Sequence, residues 1–137
     1  MPLKTPEEYL KSIRRDVNLY MFGEKISEFW KHPYYKIIEP SINAAKRTYE
    51  LAQMDQYKQL MTTKSHLNGE TINRFTHIHQ SVDDLIKKVE MQRLVGQKTA
   101  CCFQRCVGFD AANALYSVTW EIDKKNGTDY HERFKRY

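Results

Sequence analysis

The sequence lacks any long apolar stretch. No run approaches the ~20 consecutive apolar residues of a transmembrane helix, and the opening residues MPLKTPEEYL contain no apolar core of a secretory signal. The 3 cysteines are unevenly spaced and too few for a disulfide framework. We therefore expect a cytoplasmic protein, in a reducing compartment, that does not contact a membrane.

No segment carries charge of a single sign. The net charge of +5 comes from 22 basic and 17 acidic side chains. Residues 1–40 hold 7 basic and 6 acidic side chains, residues 41–100 hold 9 and 6, and residues 101–137 hold 6 and 5. Proteins that bind nucleic acid usually concentrate positive charge on one face. We predict no nucleic-acid partner, and a small anionic ligand or a solvated surface accounts for the charge equally well.

Proline is absent after residue 40, which permits long helices in the rest of the chain. Thr5, Pro6 and Glu8 have the pattern of a capping box that begins a first helix. Further helices are predicted to begin at Pro40–Ser41, near Gln56 and at Ser81. A last long helix is predicted over residues 99–125, ended by Gly127 and followed by a short helix capped by Thr128–Asp129.

Two other segments interrupt the helical pattern. Residues 17–29 are rich in strand formers around Gly23, so we predict a short β-hairpin that packs on the helices. Residues 62–80 hold the main loop signals, and Gly96 is expected to interrupt the helix that begins at Ser81. The prediction is a mainly α fold with a single domain over residues 1–137.

Cys102 and Cys106 form the most informative motif. On a helix they are four residues apart, so their Cβ atoms lie roughly 5–6 Å apart on one face. That separation suits two thiolates that bind one metal or cluster, and it is too long for a disulfide. Buried cysteine is also common as a small hydrophobe, so both interpretations stay open. Cys101 points in another direction and is interpreted as structural.

The predicted helix has an apolar line beside the cysteine line. The apolar line is expected to face the core, and its members are Phe103, Val107, Ala111, Leu115, Val118 and Ile122. The cysteine line, about 100° away, continues through Asp110, Asn113 and Ser117. Two weaker candidates lie upstream: the pair His77 and His79 could bind a metal on a strand or be structural, and Arg93 could hold an anionic group or lie at the surface.

Longer motifs extend over essentially the whole chain. In the second half of the chain they are Met91–Leu94, Gly96–Thr99, Cys102–Gly108, Asn113–Ser117, Glu121–Asp123 and Gly127–His131. In the first half they are Tyr20–Ile26, Pro40–Asn43, Tyr49–Gln53, Asn73–Phe75 and His79–Ser81. Taken together, these motifs resemble the 4-hydroxybutyryl-CoA dehydratase family, which belongs to the 4-hydroxyphenylacetate 3-hydroxylase superfamily.

The resemblance implies a fold, cofactors and site residues. It implies the helical N-terminal domain of an acyl-CoA-dehydrogenase-like fold, in an enzyme that holds FAD and a [4Fe–4S] cluster. That enzyme dehydrates 4-hydroxybutyryl-CoA to crotonyl-CoA and isomerises vinylacetyl-CoA. By the resemblance, Cys102 and Cys106 are cluster ligands, and Gln104 and Arg93 lie close to the active site. A histidine and a third cysteine would come from a C-terminal portion or a separate subunit.

Three functions remain open at this point. The chain is the cluster-ligand-bearing part of a dehydratase, inactive alone and binding no cofactor by itself, with an acyl-CoA as the substrate of the whole enzyme. Alternatively, it is a free-standing helical module for self-association or partner binding. A third alternative is the N-terminal domain of a flavin-dependent hydroxylase, although those relatives lack the cysteine pair. A chain of this kind should expose apolar surface and form a homo-oligomer.

Overall fold

The computed structural model describes residues 3–15, 17–100 and 105–136, without the side chains at 105, 106 and 109. The helices are α1 (Pro6–Ile13), α2 (Tyr35–Gln53), α3 (Asp55–Met61), α4 (Val82–Thr99), α5 (Arg105–Asn126) and α6 (Tyr130–Arg136). The strands are β1 (Leu19–Met21), β2 (Glu24–Ile26), β3 (Thr62–Lys64) and β4 (Thr71–Asn73). The predicted mainly α fold is confirmed. No described helix is both long enough and apolar enough to span a bilayer.

The first helix begins as its capping box predicts. Glu8 N–H donates to Thr5 Oγ1 at 3.1 Å, and Thr5 N–H donates to Glu8 Oε2 at 2.8 Å. Pro6 occupies the first turn, where no backbone donor is needed. The ring of Tyr9 on this helix stacks on Tyr49 of α2, with 4.8 Å between centroids. The cap thus sets the direction in which α1 leaves the chain terminus and packs on α2.

The predicted hairpin within residues 17–29 is confirmed. β1 and β2 pair antiparallel, with Leu19 opposite Ile26 and Met21 opposite Glu24. Phe22 and Gly23 form the two-residue turn, and both have positive φ, 51° and 84°. Two successive positive φ values are typical of the type I′ turn, whose twist matches that of paired strands.

Three predicted boundaries are wrong. α2 begins at Tyr35, so Pro40 lies inside it; Pro40 and Lys36 are exposed, and water can bond the Lys36 carbonyl that loses its helical donor. α4 continues through Gly96, because one glycine costs only about 1 kcal/mol relative to alanine. The predicted helix over 99–125 is divided, since α4 ends at Thr99, its C-cap Ala100 has φ 53°, and α5 is described from Arg105 onward.

A second hairpin lies within the predicted loop region 62–80. β3 and β4 pair antiparallel, with Thr62 opposite Asn73 and Lys64 opposite Thr71. Each strand is three residues long and carries no apolar alternation, so the sequence pattern does not reveal it. The hairpin is followed by a 3₁₀ turn at Arg74–Thr76 and then by an extended segment that leads into α4.

The buried core lies between α2, α3, α4 and the 3₁₀ turn that follows β4. Its buried members are Tyr49, Leu51, Ala52, Met61, Phe75, Met91 and Val95. Phe75 packs edge-on against Tyr49, with 5.4 Å between ring centroids. The 3₁₀ turn is therefore anchored in the core, which fixes the start of the segment after it.

The prediction that the apolar line of α5 faces the core is wrong for this chain. Val107, Leu115 and Val118 are 68%, 50% and 47% exposed. Phe103 lies outside the described residues. The reason is that α5 contacts the preceding elements through its polar face, at Asp110, Asn113 and Tyr116.

Candidate functional site

The predicted cysteine site lies at the junction between α4 and α5. Cys101, Cys102 and Gln104 fall within residues 101–104, outside the described part of the chain. Cys106 is the second residue of α5. Arg93 lies on α4 with an exposed side chain. The structure therefore gives the helical setting of two of these positions, and the pairing of Cys102 with Cys106 stays a prediction.

Position 106 lies in the described backbone of α5, and its side chain lies outside the described part of the chain. Within the described residues, no group of three or more His, Cys, Asp or Glu side chains could hold a metal ion. A cluster at Cys106 would therefore need donors from outside these residues.

Next to the cysteine region, α5 docks through polar contacts. The Asn113 side chain accepts a hydrogen bond from His79 N–H at 2.8 Å and donates to the His77 carbonyl at 3.5 Å. The Tyr116 hydroxyl lies 3.1 Å from His66 Nε2. Asp110 forms an ion pair with Lys88 of α4. Three side chains spaced along one face of α5 thus hold it against α4 and against the loop segments that precede α4.

These contacts assemble a histidine cluster, which we define as His66, His77, His79 and His131 together with Tyr116. The rings of His66 and His77 have centroids 6.2 Å apart, and those of His77 and His79 6.3 Å apart. On the other side, Tyr116 packs edge-on to His131 at 4.6 Å. Thr119 Oγ1 lies 3.1 Å from His131 Nδ1. Four of the five histidines therefore share one region, around α5 and α6.

Two histidines of the cluster, His66 and His79, have lowered pKa values. Burial lowers the pKa of His66, and nearby His77 lowers it further. Burial likewise lowers the pKa of His79, as do Lys88 and His77. The Asp84 carboxylate acts in the opposite direction on both groups without reversing the shift. The neutral forms of His66 and His79 are therefore favoured at neutral pH.

His77 is the buried centre of the cluster and serves a structural role. It is 4% exposed, and its Nε2 lies 3.3 Å from Asp84 Oδ2. Its Nδ1 is buried without a hydrogen-bond partner among the described residues. His77 and His79 lie in the extended segment after the 3₁₀ turn, not on a strand, and they join no described metal-binding group. The structural interpretation of this pair is the one that the contacts support.

Arg74 and Asp84 complete the support beneath the cluster. The buried Arg74 guanidinium donates from Nε to the Leu60 carbonyl at 2.7 Å, and from Nη2 to the Gln59 and Thr62 carbonyls at 3.3 and 2.9 Å. These are carbonyls at the end of α3, so the side chain caps that helix. Burial lowers the pKa of Arg74, and Asp84, at 3.8 Å, opposes the shift.

Asp84 joins these groups to the start of α4. Ser81 caps α4 by accepting from Asp84 N–H at 3.1 Å, and Asp84 Oδ2 accepts from Gln80 N–H at 2.9 Å. Burial acts to raise the pKa of Asp84, but the hydrogen bonds from Gln80 and His77 outweigh it, so the pKa lies below its ordinary value. A charged carboxylate is thus held between Arg74 and His77.

Several residues of this region escape the sequence patterns. Tyr116, His66 and His131 are separated by 15 to 65 positions, and no short motif joins them. Asn113 lies on the cysteine line of α5, which is the only signal that could have drawn attention to it. Their association depends on which face of α5 contacts the rest of the chain. The apolar pattern of α5 predicts that a different face makes this contact.

Comparisons with known proteins agree with the motif-based resemblance. The profile of the family described as "4-hydroxyphenylacetate 3-hydroxylase N terminal" matches residues 5–137. The 4-hydroxybutyryl-CoA dehydratase/vinylacetyl-CoA-Delta-isomerase of Clostridium aminobutyricum is 60% identical over 136 residues, which are 98% of this chain and 27% of that protein.

A solved structure agrees at the level of the backbone. An oxygen-tolerant archaeal 4-hydroxybutyryl-CoA dehydratase from N. maritimus superposes with a TM-score of 0.85 at 47% identity, over 96% of this chain and 26% of that one. This chain thus spans about a quarter of the length of these relatives. The predicted resemblance is confirmed, and the chain belongs to the 4-hydroxyphenylacetate 3-hydroxylase N-terminal family, where it is similar to 4-hydroxybutyryl-CoA dehydratases.

Proposed function

We propose that this chain supplies the cluster-ligand-bearing, N-terminal part of a 4-hydroxybutyryl-CoA dehydratase-like enzyme. The observation that carries the proposal is 60% identity, over nearly the whole chain, to a protein with that activity. Cys102, Cys106, Gln104 and Arg93 support it, because the resemblance assigns each of them to a position at or near the active site of the family. The complete enzyme would convert 4-hydroxybutyryl-CoA to crotonyl-CoA and isomerise vinylacetyl-CoA.

The donor chemistry of this chain fits half of a [4Fe–4S] site. Thiolates are the usual ligands of iron–sulfur clusters, and Cys106 lies within α5. Cys102 would be the second ligand. When bound, the cluster would supply an iron atom able to interact with a substrate oxygen. The remaining ligands, a histidine and a cysteine by the resemblance, would come from the rest of the enzyme.

Arg93 and Gln104 would act on the substrate and cofactors from the same junction. The exposed Arg93 guanidinium on α4 can hold an anionic group by charge-assisted hydrogen bonds. The Gln104 amide, two residues before Cys106, can orient a polar group of the substrate near the cluster. Both residues would position bound groups, while FAD and the cluster carry the redox chemistry.

The rest of the enzyme would cover the apolar surface that this chain exposes. Val107, Leu115 and Val118 on α5 are exposed, as are Val82 and Ile86 on α4. Several exposed apolar side chains on two helices are the kind of surface that a partner can cover. We propose that the C-terminal portion, or a separate subunit, packs there and brings most of the flavin site. Copies of the whole enzyme would associate as a homo-oligomer.

Two alternatives have specific support. The same exposed apolar residues fit a helical module that binds a partner without catalysis. The description of the matching family fits a flavin-dependent hydroxylase, although the cysteine pair has no role in that chemistry. The retained cysteines favour the dehydratase. Their role also agrees with a cytoplasmic, reducing location, where thiols stay free.

A complementation assay tests the proposal. The chain is co-expressed anaerobically with the C-terminal three quarters of the Clostridium relative, and dehydration of 4-hydroxybutyryl-CoA is measured. We expect activity with the wild-type chain, none with either part alone, and none with Cys102→Ser or Cys106→Ser. Cys101→Ser is the matched control and should stay active. A stable complex that contains both parts, carries iron and flavin, and has no dehydratase activity would contradict the proposal.

A further inference from the structure

Helix α4 carries a second apolar face, which stays exposed in the described part of the chain. We call it the outer stripe, and its members are Val82, Leu85, Ile86 and Val89. These residues are 72%, 47%, 53% and 45% exposed respectively. Apolar residues scattered singly over a surface need no explanation. These four stand at positions i, i+3, i+4 and i+7, which is the spacing of a helix face that is buried.

The outer stripe lies opposite the face of α4 that packs in the core. The core face is formed by Met91 and Val95, which are fully buried. Nine residues separate Val82 from Met91, which is about 900° of helix rotation and places them on opposite sides of the axis. On one side the two faces are separated by an exposed ion pair between Asp83 and Lys87. The helix therefore has two apolar faces, and the core of this chain accounts for one of them.

The shape of the outer stripe suits a neighbouring helix. From Leu85 to Ile86 it covers about 100° of the helix circumference, and from Val82 to Val89 it runs about 10.5 Å along the axis. Three to four apolar residues in two turns are the pattern of a helix that faces the core of a bundle. A second helix that lies along such a stripe crosses the first at about 20°, with the axes about 8–10 Å apart. The stripe therefore fits the apolar face of one further helix.

The size of the outer stripe argues against a second copy of this chain as its occupant. A stable interface between separate proteins buries about 800 Å² and about 20–30 residues on each side, whereas the stripe supplies four side chains. A helix of the same enzyme needs less surface, because its other contacts and its covalent connections hold it nearby at high effective concentration. This chain makes up 27% and 26% of the length of its relatives. The remaining three quarters of such an enzyme can supply the helix.

We propose that the outer stripe of α4 is the docking surface for one amphipathic helix from the remaining three quarters of the enzyme. This helix lies along α4, and its apolar face covers the four residues of the stripe. The identity of the partner rests on the proposed function, whereas the second apolar face of α4 does not. In the assembled enzyme α4 is then buried on two sides, between the core of this chain and the docked helix.

Photo-crosslinking identifies the occupant of the outer stripe. The photoreactive residue benzoylphenylalanine is placed at position 86 or 89 of the chain, and at position 87 in the matched control. Each chain is co-expressed with the C-terminal three quarters of the Clostridium relative, and the purified assembly is irradiated. We expect positions 86 and 89 to crosslink to one segment of the C-terminal part, with apolar residues at helical spacing, and position 87 to give little of this product.

Three results of this experiment overturn the proposal. The first is a crosslink from positions 86 and 89 to a second copy of this chain. The second is a crosslink to a segment without helical apolar spacing. The third is the absence of a crosslink to the C-terminal part, whether the purified assembly gives none or the two wild-type parts do not co-purify.

Affinity measurements test whether the outer stripe contributes to assembly. Leu85 and Ile86 are exposed in the chain alone, so Leu85→Glu and Ile86→Glu should leave its denaturation midpoint unchanged. Each should weaken binding between the two parts about tenfold, because covering half of a Leu or Ile side chain corresponds to about one tenfold step in affinity. Ile86→Leu and the control Lys87→Gln should bind like the wild type. Equal affinity of Ile86→Glu and wild type overturns the proposal.

Neither measurement depends on catalysis, so failure of this proposal can be distinguished from failure of the proposed function. An assembly that crosslinks as expected and carries iron and flavin, but does not dehydrate 4-hydroxybutyryl-CoA, contradicts the proposed function and supports the docked helix. An active assembly in which Ile86→Glu binds like the wild type supports the proposed function and overturns the docked helix.

Discussion

Substitution of Arg74 by methionine should severely destabilise the chain. The side chain is 6% exposed and donates to three carbonyls, those of Leu60, Gln59 and Thr62. A hydrogen bond to a charged group contributes about 1.5–3 kcal/mol, and breaking a buried charge pair costs about 3–5 kcal/mol. Loss of the guanidinium also removes a partner of Asp84. Part of the loss is recovered as water reaches the α3 carbonyls, so we expect about 3–5 kcal/mol.

That loss is large compared with the whole stability of a domain, about 5–15 kcal/mol. Chemical denaturation followed by circular dichroism should show a midpoint for Arg74→Met far below that of the wild type. Arg74→Lys should fall between them, because an ammonium keeps the charge but cannot bond three separate carbonyls in a fixed fork. The matched control is Arg47→Met, which removes only a surface pair with Glu50 and should cost at most about 1 kcal/mol.

The reasoning is refuted if Arg74→Met unfolds within about 1 kcal/mol of the wild type, or if Arg47→Met costs as much. Either result would mean that the α3 carbonyls do not depend on the buried guanidinium. A change in the denaturant slope would instead report an altered unfolded state, so midpoints and slopes are compared together.

Two further predictions concern the histidine cluster and the exposed face of α5. Because the pKa values of His66 and His79 are lowered in the folded chain, the unfolded chain takes up protons first, and stability should fall as the pH drops below about 6.5 and through the lower folded values. Denaturation midpoints of the wild type should decrease over this pH range. The decrease should be smaller when His66 and His79 are both changed to glutamine, and it should equal that of the wild type in the His32→Gln control. Val118→Lys should reduce self-association in light scattering, because Val118 is exposed within the apolar line, whereas Glu121→Lys, at an exposed polar position, should not. Equal self-association in Val118→Lys and wild type would exclude the apolar line as the interface.

Local sequence signals predict this fold well where a few neighbouring residues decide the structure. The capping box at Thr5 and Glu8, the Ser81 cap of α4 and the Gly127 stop each satisfy backbone groups within one turn, so their effect does not depend on the rest of the chain. The Phe22–Gly23 turn belongs to the same class. The effect of Pro40 on α2 could not be predicted in this way. A helix tolerates proline where the carbonyl that loses its donor, here that of Lys36, is exposed to water, and this exposure depends on the folded chain.

The docking of α5 could not be predicted from periodicity. An apolar line at helical spacing indicates that one face of the helix is buried in the folded protein. It does not indicate which segment of the protein covers that face. In this chain the polar face of α5 contacts the segments before α4, through Asn113 and Tyr116, and the apolar line is exposed. The role of Cys102 and Cys106 as cluster ligands is predicted from the family motifs around them, because a spacing of four residues has little specificity by itself.

Anaerobic reconstitution with iron and sulfide tests the central claim most directly, namely that Cys102 and Cys106 are ligands of an iron–sulfur cluster. The measurement compares bound iron and visible thiolate–iron absorption in the co-expressed two-part assembly, using wild type, Cys102→Ala, Cys106→Ala and Cys101→Ala. We predict full cluster content for wild type and Cys101→Ala, and loss of the cluster in the other two. Equal iron and equal absorption in all four proteins would contradict the account.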